Sequence, residues 1–238
     1  CAAIVNRYKI DAVPHIICGG FTKEETENPL IDLNFLGIDN VLLLRGDPIK
    51  TEASFIPEEE GHHYAVDLVK QVVGLNQGIY MDEDLQNANP TAFCIGVAGY
   101  PEKHFEAPNL KNDLIYLKQK IDAGAEYIVT QLFYDNEKYK TFVELCRKEG
   151  IKVPIIPGIK PLTARSQILT LPKNFHIDMP HELVEAIEKC KSDEAVKKVG
   201  IDWAIQQTKE LIEFGVPCIH YYTMGKSLSA REVVKAVF

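Results

Sequence analysis

A chain of 238 residues, 46% hydrophobic and 25% charged, is long enough to bury one large core. Its net charge of −8 works against nucleic-acid backbones and anionic membranes as partners, since either needs a basic face. No apolar run approaches the roughly 20 residues that cross a bilayer, and no basic start leads into an apolar segment of the secretory kind, so a cytoplasmic protein is expected.

Ala2 to Arg7 read as the end of a helix already under way, and with Cys1 rather than Met at the start the chain is expected to lack its true N-terminus. Ala12 to Cys18 form a short strand, broken by Gly19-Gly20. Thr22-Lys23-Glu24-Glu25 has the form of a capping box, and Leu30, Leu33 and Leu36 supply the apolar side of the helix that Gly37 ends. Val41 to Leu44 are an unbroken apolar run of the kind covered on both faces in a parallel sheet, and the run stops abruptly at Arg45-Gly46-Asp47-Pro48. A surface loop follows from Ile49 to Gly61, then a helix through Tyr64 to Val73 with Leu68 and Val69 inward, then a polar excursion from Gly78 to Pro90.

Ala92 to Gly99 make the next strand, which ends in Tyr100-Pro101-Glu102-Lys103-His104. Leu110, Leu114, Leu117 and Ile121 repeat at the helical period, and Gly124 stops that helix. Glu126 to Phe133 form a strand carrying one amide, Gln131, which burial would force into a hydrogen bond with the core or with a ligand. Asp135 caps a helix with Tyr139, Phe142, Val143 and Cys146, and Val153 to Ile159 are a proline-containing strand. Helices are expected over 164–171, 181–189 and 193–214, the last with Ile201, Ala204, Ile205, Leu211 and Ile212 on one face. Val216 to Tyr222 give the final strand and Ala230 to Phe238 the closing helix.

Six strands, each followed by a helix and with no linker between them, imply parallel strands with right-handed crossovers in one domain spanning 1–238. No GxGxxG motif follows the first strand, and polar residues stand at nearly every strand end rather than at one switch point. The reading is therefore an α/β TIM barrel, (β/α)8, whose first one or two strand-helix units lie upstream of this chain. Polar groups at such strand ends are candidates for chemistry, Arg45 and Asp47 first, although a loop salt bridge capped by Gly46 and Pro48 is the structural alternative. Lys120 could equally be a solvated helix face, His104 a loop histidine and Tyr100 core packing. Cys1, Cys18, Cys94, Cys146, Cys190 and Cys218 contain no CxxC pair or zinc spacing, so reduced, mostly buried thiols are expected. His62-His63 lack a third ligand at suitable spacing, and no metal is expected.

Taken together, His15, Arg45-Gly46-Asp47, Tyr100-Pro101-Glu102-x-His104, Thr130-Gln131, Pro157-Gly158-Ile159 and His220-Tyr221-Tyr222-Thr223 give the chain a resemblance to bacterial-type methylenetetrahydrofolate reductase. The resemblance runs through essentially the whole chain. It implies an eight-stranded barrel that holds FAD and reduces 5,10-methylenetetrahydrofolate to 5-methyltetrahydrofolate with NADH or NADPH, by ping-pong hydride transfer. That activity belongs to one-carbon metabolism and methionine biosynthesis, commonly in a homo-oligomer. Carried over by position, FAD would meet His15, Arg45, Gly46, Asp47, Tyr64, Ala65, Tyr100, His104, Ala107, Asp113, Tyr116, Gln119 and Lys120. Asp47 would serve catalysis beside both flavin and folate, while Gln131, Gln167 and Lys226 would bind the folate, Lys226 standing where relatives often carry arginine. The family's general-acid glutamate would lie upstream of residue 1, so the fragment itself could be inactive. A flavin-free pterin or one-carbon transferase on the same barrel, or a non-catalytic binding subunit, are the competing functions.

Overall fold

The structure is a computed structural model describing residues 1–48 and 54–238, so the loop expected from Ile49 to Gly61 lies partly outside the described residues. Contacts group the chain into two compact units, residues 1–98 with 116–128 and residues 99–115 with 129–238.

In the first unit, helix α1 (Ala2–Tyr8) precedes strand β1 (His15–Ile17), helix α2 (Lys23–Phe35), strand β2 (Asn40–Leu44), helix α3 (Ala65–Asn76) and strand β3 (Cys94–Gly99). β1 pairs with β2 in parallel, His15 opposite Leu42, and β2 with β3, Asn40 opposite Cys94. Val41, Leu42 and Leu43 are all at most 5% exposed, as a strand covered on both faces requires. The capping box of α2 is present in full: Thr22 Oγ1 accepts the Glu25 N–H and Glu25 accepts the Thr22 N–H. Its inward face differs from the leucine stripe expected. Thr26, Glu27 and Leu30 are buried, whereas Leu36 is 42% exposed because it is the C-cap, beyond the last helical turn. In α3 the buried set is Leu68, Val69, Val72 and Leu75. Helix α4 (Leu110–Asp122) buries Leu114 and Leu117, and strand β4 (Tyr127–Leu132) follows it.

The second unit continues with α5 (Asn136–Lys148), β5 (Ile155–Ile159), α6 (Gln167–Phe175), α7 (His181–Glu188), α8 (Asp193–Phe214), β6 (His220–Tyr221) and α9 (Leu228–Val237). Asp135 caps α5 by accepting the Glu137 N–H. One core cluster gathers Leu132, Tyr134, Leu162, Leu171, Leu183, Ile187 and Val196. Ile201, Ala204 and Leu211 are buried on α8 as expected, together with Gln207 and Thr208, while Ile212 is 41% exposed. The strand expected over 216–222 reduces to His220–Tyr221, paired in parallel with Gly158 and Ile159.

The sheet order is that of the chain, β1-β2-β3-β4-β5-β6, without the reversal that defines a doubly wound sheet. This is the α/β barrel order read from the sequence. The six cysteines are all free thiols; Cys18 and Cys146 are buried, but Cys1 and Cys218 are exposed, so burial is less general than expected.

Candidate functional site

In the first unit the turn after β2 is fixed from beneath. The Cys18 N–H is shared between the carbonyls of Leu44 and Arg45, each at 3.1 Å, and Gly46 takes a φ of 89° that a side chain would resist. Asp47 is thereby held outward and exposed, while the Arg45 guanidinium lies over the Phe55 ring at 4.9 Å. His15 opens β1 and is exposed. Tyr64 caps α3 and is 62% exposed, Ala65 begins the helix, and Tyr116 on α4 is 48% exposed. Core packing therefore accounts for neither tyrosine, and each leaves about half or more of its surface open. Gln119 is exposed, and Lys120 donates to the Ala98 carbonyl at 2.6 Å, which brings its ammonium to the C-terminal end of β3.

The second unit holds Tyr100, His104, Ala107, Asp113, Gln131, Gln167 and Lys226. The 100–107 loop is organised by a residue the sequence reading passed over. Lys103, at φ 129°, donates to the carbonyls of His104, Phe105 and Ala107 at 3.1, 3.3 and 2.7 Å. Asp113 accepts the His104 N–H at 2.9 Å, so its carboxylate shapes the loop. The Tyr100 and His104 rings meet edge to face at 4.7 Å. His104 Nδ1 accepts the Glu106 N–H at 3.3 Å, leaving Nε2 to carry the proton in the neutral ring.

Tyr100, Glu102, Gln131 and His176 line one small cavity of this unit. The sequence motif contained Glu102 without giving it a part. Its Oε2 accepts the Asp178 N–H at 2.7 Å, and its Oε1 is buried with no partner among the described residues. Burial pushes the Glu102 carboxyl up to about 7, the hydrogen bond opposing this and the neighbouring Asp178 charge adding to it. Because the folded value lies above the ordinary 4.5, the protonated form favours the fold. Stability is fully present below about 4.5 and is lost as pH rises through about 7. Thermal melts of the protein from pH 5 to 8 are expected to fall across that window, and Glu102→Gln, which cannot ionise, to flatten the fall. Parallel curves for the two proteins would assign the trend to other groups.

Both glutamines are oriented by backbone. Gln131 Oε1 accepts the Leu132 N–H at 3.0 Å, and Gln167 Oε1 accepts the N–H groups of Thr163 and Ala164 at 2.7 and 3.2 Å. Each is left with its NH2 as a donor. Lys226 is exposed in the loop after β6. Elsewhere in the first unit, a cavity of about 400 Å³ between α2 and α3 contains none of the expected residues. His62 lines it, with Nε2 2.5 Å from Gln71 Oε1. Gln71 spends its NH2 on the Lys23 carbonyl at 2.9 Å, so this imidazole is the donor at Nε2, while its Nδ1 is buried without a partner among the described residues.

The methylenetetrahydrofolate reductase family model matches residues 1–237. A probable methylenetetrahydrofolate reductase (NADPH) of Caenorhabditis elegans is 35% identical over 99% of this chain and 34% of its own length. A methylenetetrahydrofolate reductase (NADH) of Arabidopsis thaliana is 38% identical over 93% of the chain and 37% of its length. The 5,10-methylenetetrahydrofolate reductase of Pectobacterium carotovorum is 33% identical over 94% of the chain and 68% of its length. The chain thus spans about a third of the eukaryotic relatives and about two thirds of the bacterial one.

Proposed function

Since the chain belongs to the methylenetetrahydrofolate reductase family, we propose that it serves the reduction of 5,10-methylenetetrahydrofolate to 5-methyltetrahydrofolate, with NADH or NADPH as donor and FAD as carrier in a ping-pong sequence. The observation that carries this reading is the Arg45-Gly46-Asp47 turn: a buried strand ends in a turn that leaves the Asp47 carboxylate exposed two residues after Arg45. The setting would be one-carbon metabolism and methionine biosynthesis, in a cytoplasmic homo-oligomer working as one catalytic domain.

The residues present fit FAD. In the first unit His15, Arg45, Gly46, Asp47, Tyr64, Ala65, Tyr116, Gln119 and Lys120 would hold it, and in the second Tyr100, His104, Ala107 and Asp113. Arg45 and Lys120 supply positive charge for a pyrophosphate, and the exposed rings of Tyr64 and Tyr116 supply apolar faces. Bound there, FAD would supply hydride-transfer chemistry between the nicotinamide and the folate. Asp47 would stabilise the cationic iminium form of the folate that takes up hydride, since a fixed carboxylate lowers the energy of positive charge beside it. Gln131 and Gln167 would orient the folate through their amide N–H groups.

The visible spectrum of the protein, as purified or reconstituted with FAD, tests the proposal. Flavin bands that bleach on anaerobic addition of NADH or NADPH are expected. A colourless protein that takes up no FAD would overturn the reading.

A further inference from the structure

The cavity of about 400 Å³ between α2 and α3 has no part in the proposed reaction, since it holds none of the residues expected at flavin or folate. Its lining separates the two signs of charge by depth. Glu27, on α2, is 7% exposed, and its two oxygens share a single N–H, that of Met81, at 3.1 and 3.0 Å. Among the described residues this is the one hydrogen bond its carboxylate has, and no cation pairs with it. A buried carboxylate so poorly matched works against the fold, which a neutral side chain of the same size would serve better.

His62 lines the same cavity with a second buried acceptor. It is 3% exposed, and burial holds its imidazole below the ordinary value, so the ring is neutral. Its proton sits on Nε2, which donates to Gln71, and Nδ1 therefore carries a lone pair that no described residue meets. Such a buried nitrogen is ordinarily hydrogen-bonded. Lys23 and Lys70 also line the cavity, but both are exposed, so water and salt screen them, and Lys70 stands 3.9 Å from the Asp67 carboxylate. Ile79 and Met81 add apolar surface. Among the described residues no three His, Cys, Asp or Glu side chains are grouped to hold a metal ion, so the cation that suits this site is one with N–H groups of its own.

We infer that this cavity binds a small organic ammonium ion, which gives its N–H groups to the Glu27 carboxylate and to His62 Nδ1 and lays its alkyl body on Ile79 and Met81. An ammonium has three N–H donors and no acceptor, the complement of two buried acceptors, and its charge answers the buried carboxylate. An anion would be repelled by Glu27 and Asp67, and a neutral apolar molecule would leave both acceptors unmatched. The volume is at the lower end of the range for small-molecule sites, which suits a compact ligand. The inference does not depend on the reductase reading.

Titration of the full chain with 3-methylbutylammonium, and separately with 3-methylbutan-1-ol, followed by NMR with 15N-labelled histidine, tests this. The two probes share one alkyl body and differ in the head. The ammonium is expected to bind saturably and to move the Nδ1 signal of His62 as that nitrogen accepts an N–H, and the alcohol to bind at least about tenfold more weakly, the scale of a hydrogen bond to a charged group. Glu27→Gln keeps an oxygen for the Met81 N–H and removes the charge, so it should weaken the ammonium by a similar factor while leaving the alcohol unchanged. The Nδ1 measurement uses the unmutated protein and decides the matter even where the variant folds poorly. Absence of saturable ammonium binding, an alcohol that binds as tightly, an Nδ1 signal that stays still at saturation, or unaltered ammonium affinity in Glu27→Gln would each overturn the inference.

Discussion

Asp47→Asn is expected to slow the folate half of the reaction about a hundredfold, the usual scale for removing one preorganised electrostatic group, while changing nicotinamide oxidation far less. The substitution preserves the size and planarity of the side chain and removes only its charge. The turn does not depend on that charge, because its geometry comes from the Cys18 N–H shared by two carbonyls and from the left-handed Gly46. Asp47 is exposed, so the variant should melt as the parent does. The two halves differ in the sign of the charge they develop. A carboxylate opposes reduction of a nearby flavin, which gains negative charge, and favours a folate iminium, which is positive. Anaerobic stopped-flow measurement of each half separates them, and a hundredfold effect corresponds to about 2.7 kcal/mol. Equal losses in both halves would remove the electrostatic argument.

Gly200→Ala is expected to have the largest effect on stability. In the middle of α8, helix propensity alone favours alanine by about 1 kcal/mol. Here the sign should reverse, because a Cβ at Gly200 would lie 2.1 Å from the Leu162 carbonyl oxygen and 2.7 Å from its carbonyl carbon. These are backbone atoms and cannot rotate away. Leu162 is 1% exposed within the core cluster, so either the helix or the chain after β5 must shift. Overpacking of this kind typically costs 1–3 kcal/mol and more where backbone must move. For a chain of this length that is a fall of roughly 2–12 °C in melting temperature, read by circular dichroism. The displaced chain carries Thr163 and Ala164, whose N–H groups orient Gln167, so folate affinity should fall with stability. A variant as stable as the parent would show that α8 has room to retreat.

The fold was legible where a residue pattern corresponds directly to a physical requirement. The buried run Val41 to Leu43, the Thr22 box and the Asp135 cap all appear as read, because each depends on local backbone groups and one face of burial. Misreadings cluster at element ends. Leu36 and Ile212 continue a helical period arithmetically, but Leu36 has left the helix and Ile212 lies in the last turn before Gly215, where the inward face runs out. The last strand begins late because Pro217 has no N–H to offer a ladder, and pairing starts only where His220 reaches Gly158.

The candidates Arg45 and Asp47 were visible for the same reason that strands were, since an apolar run stops in polar groups, and Gln131 because it is one amide inside an apolar strand. Lys103 and Glu102 were not. Lys103 acts on three loop carbonyls, and Glu102 answers to an N–H contributed by Asp178. None of these relations has a period or a spacing.

The two inaccessible thiols give this protein a built-in pair of clocks. Cys18 belongs to the first unit and Cys146 to the second, both are 0% exposed, and burial holds both thiols up to about 12. Alkylation needs the thiolate and a path for the reagent, so neither can react until its own surroundings open. Cys1 and Cys218, already at the surface, can be blocked beforehand with a light isotopic reagent. The rate at which a heavy reagent then enters at each buried position times the opening of each half of the chain separately, within a single sample and without any mutation.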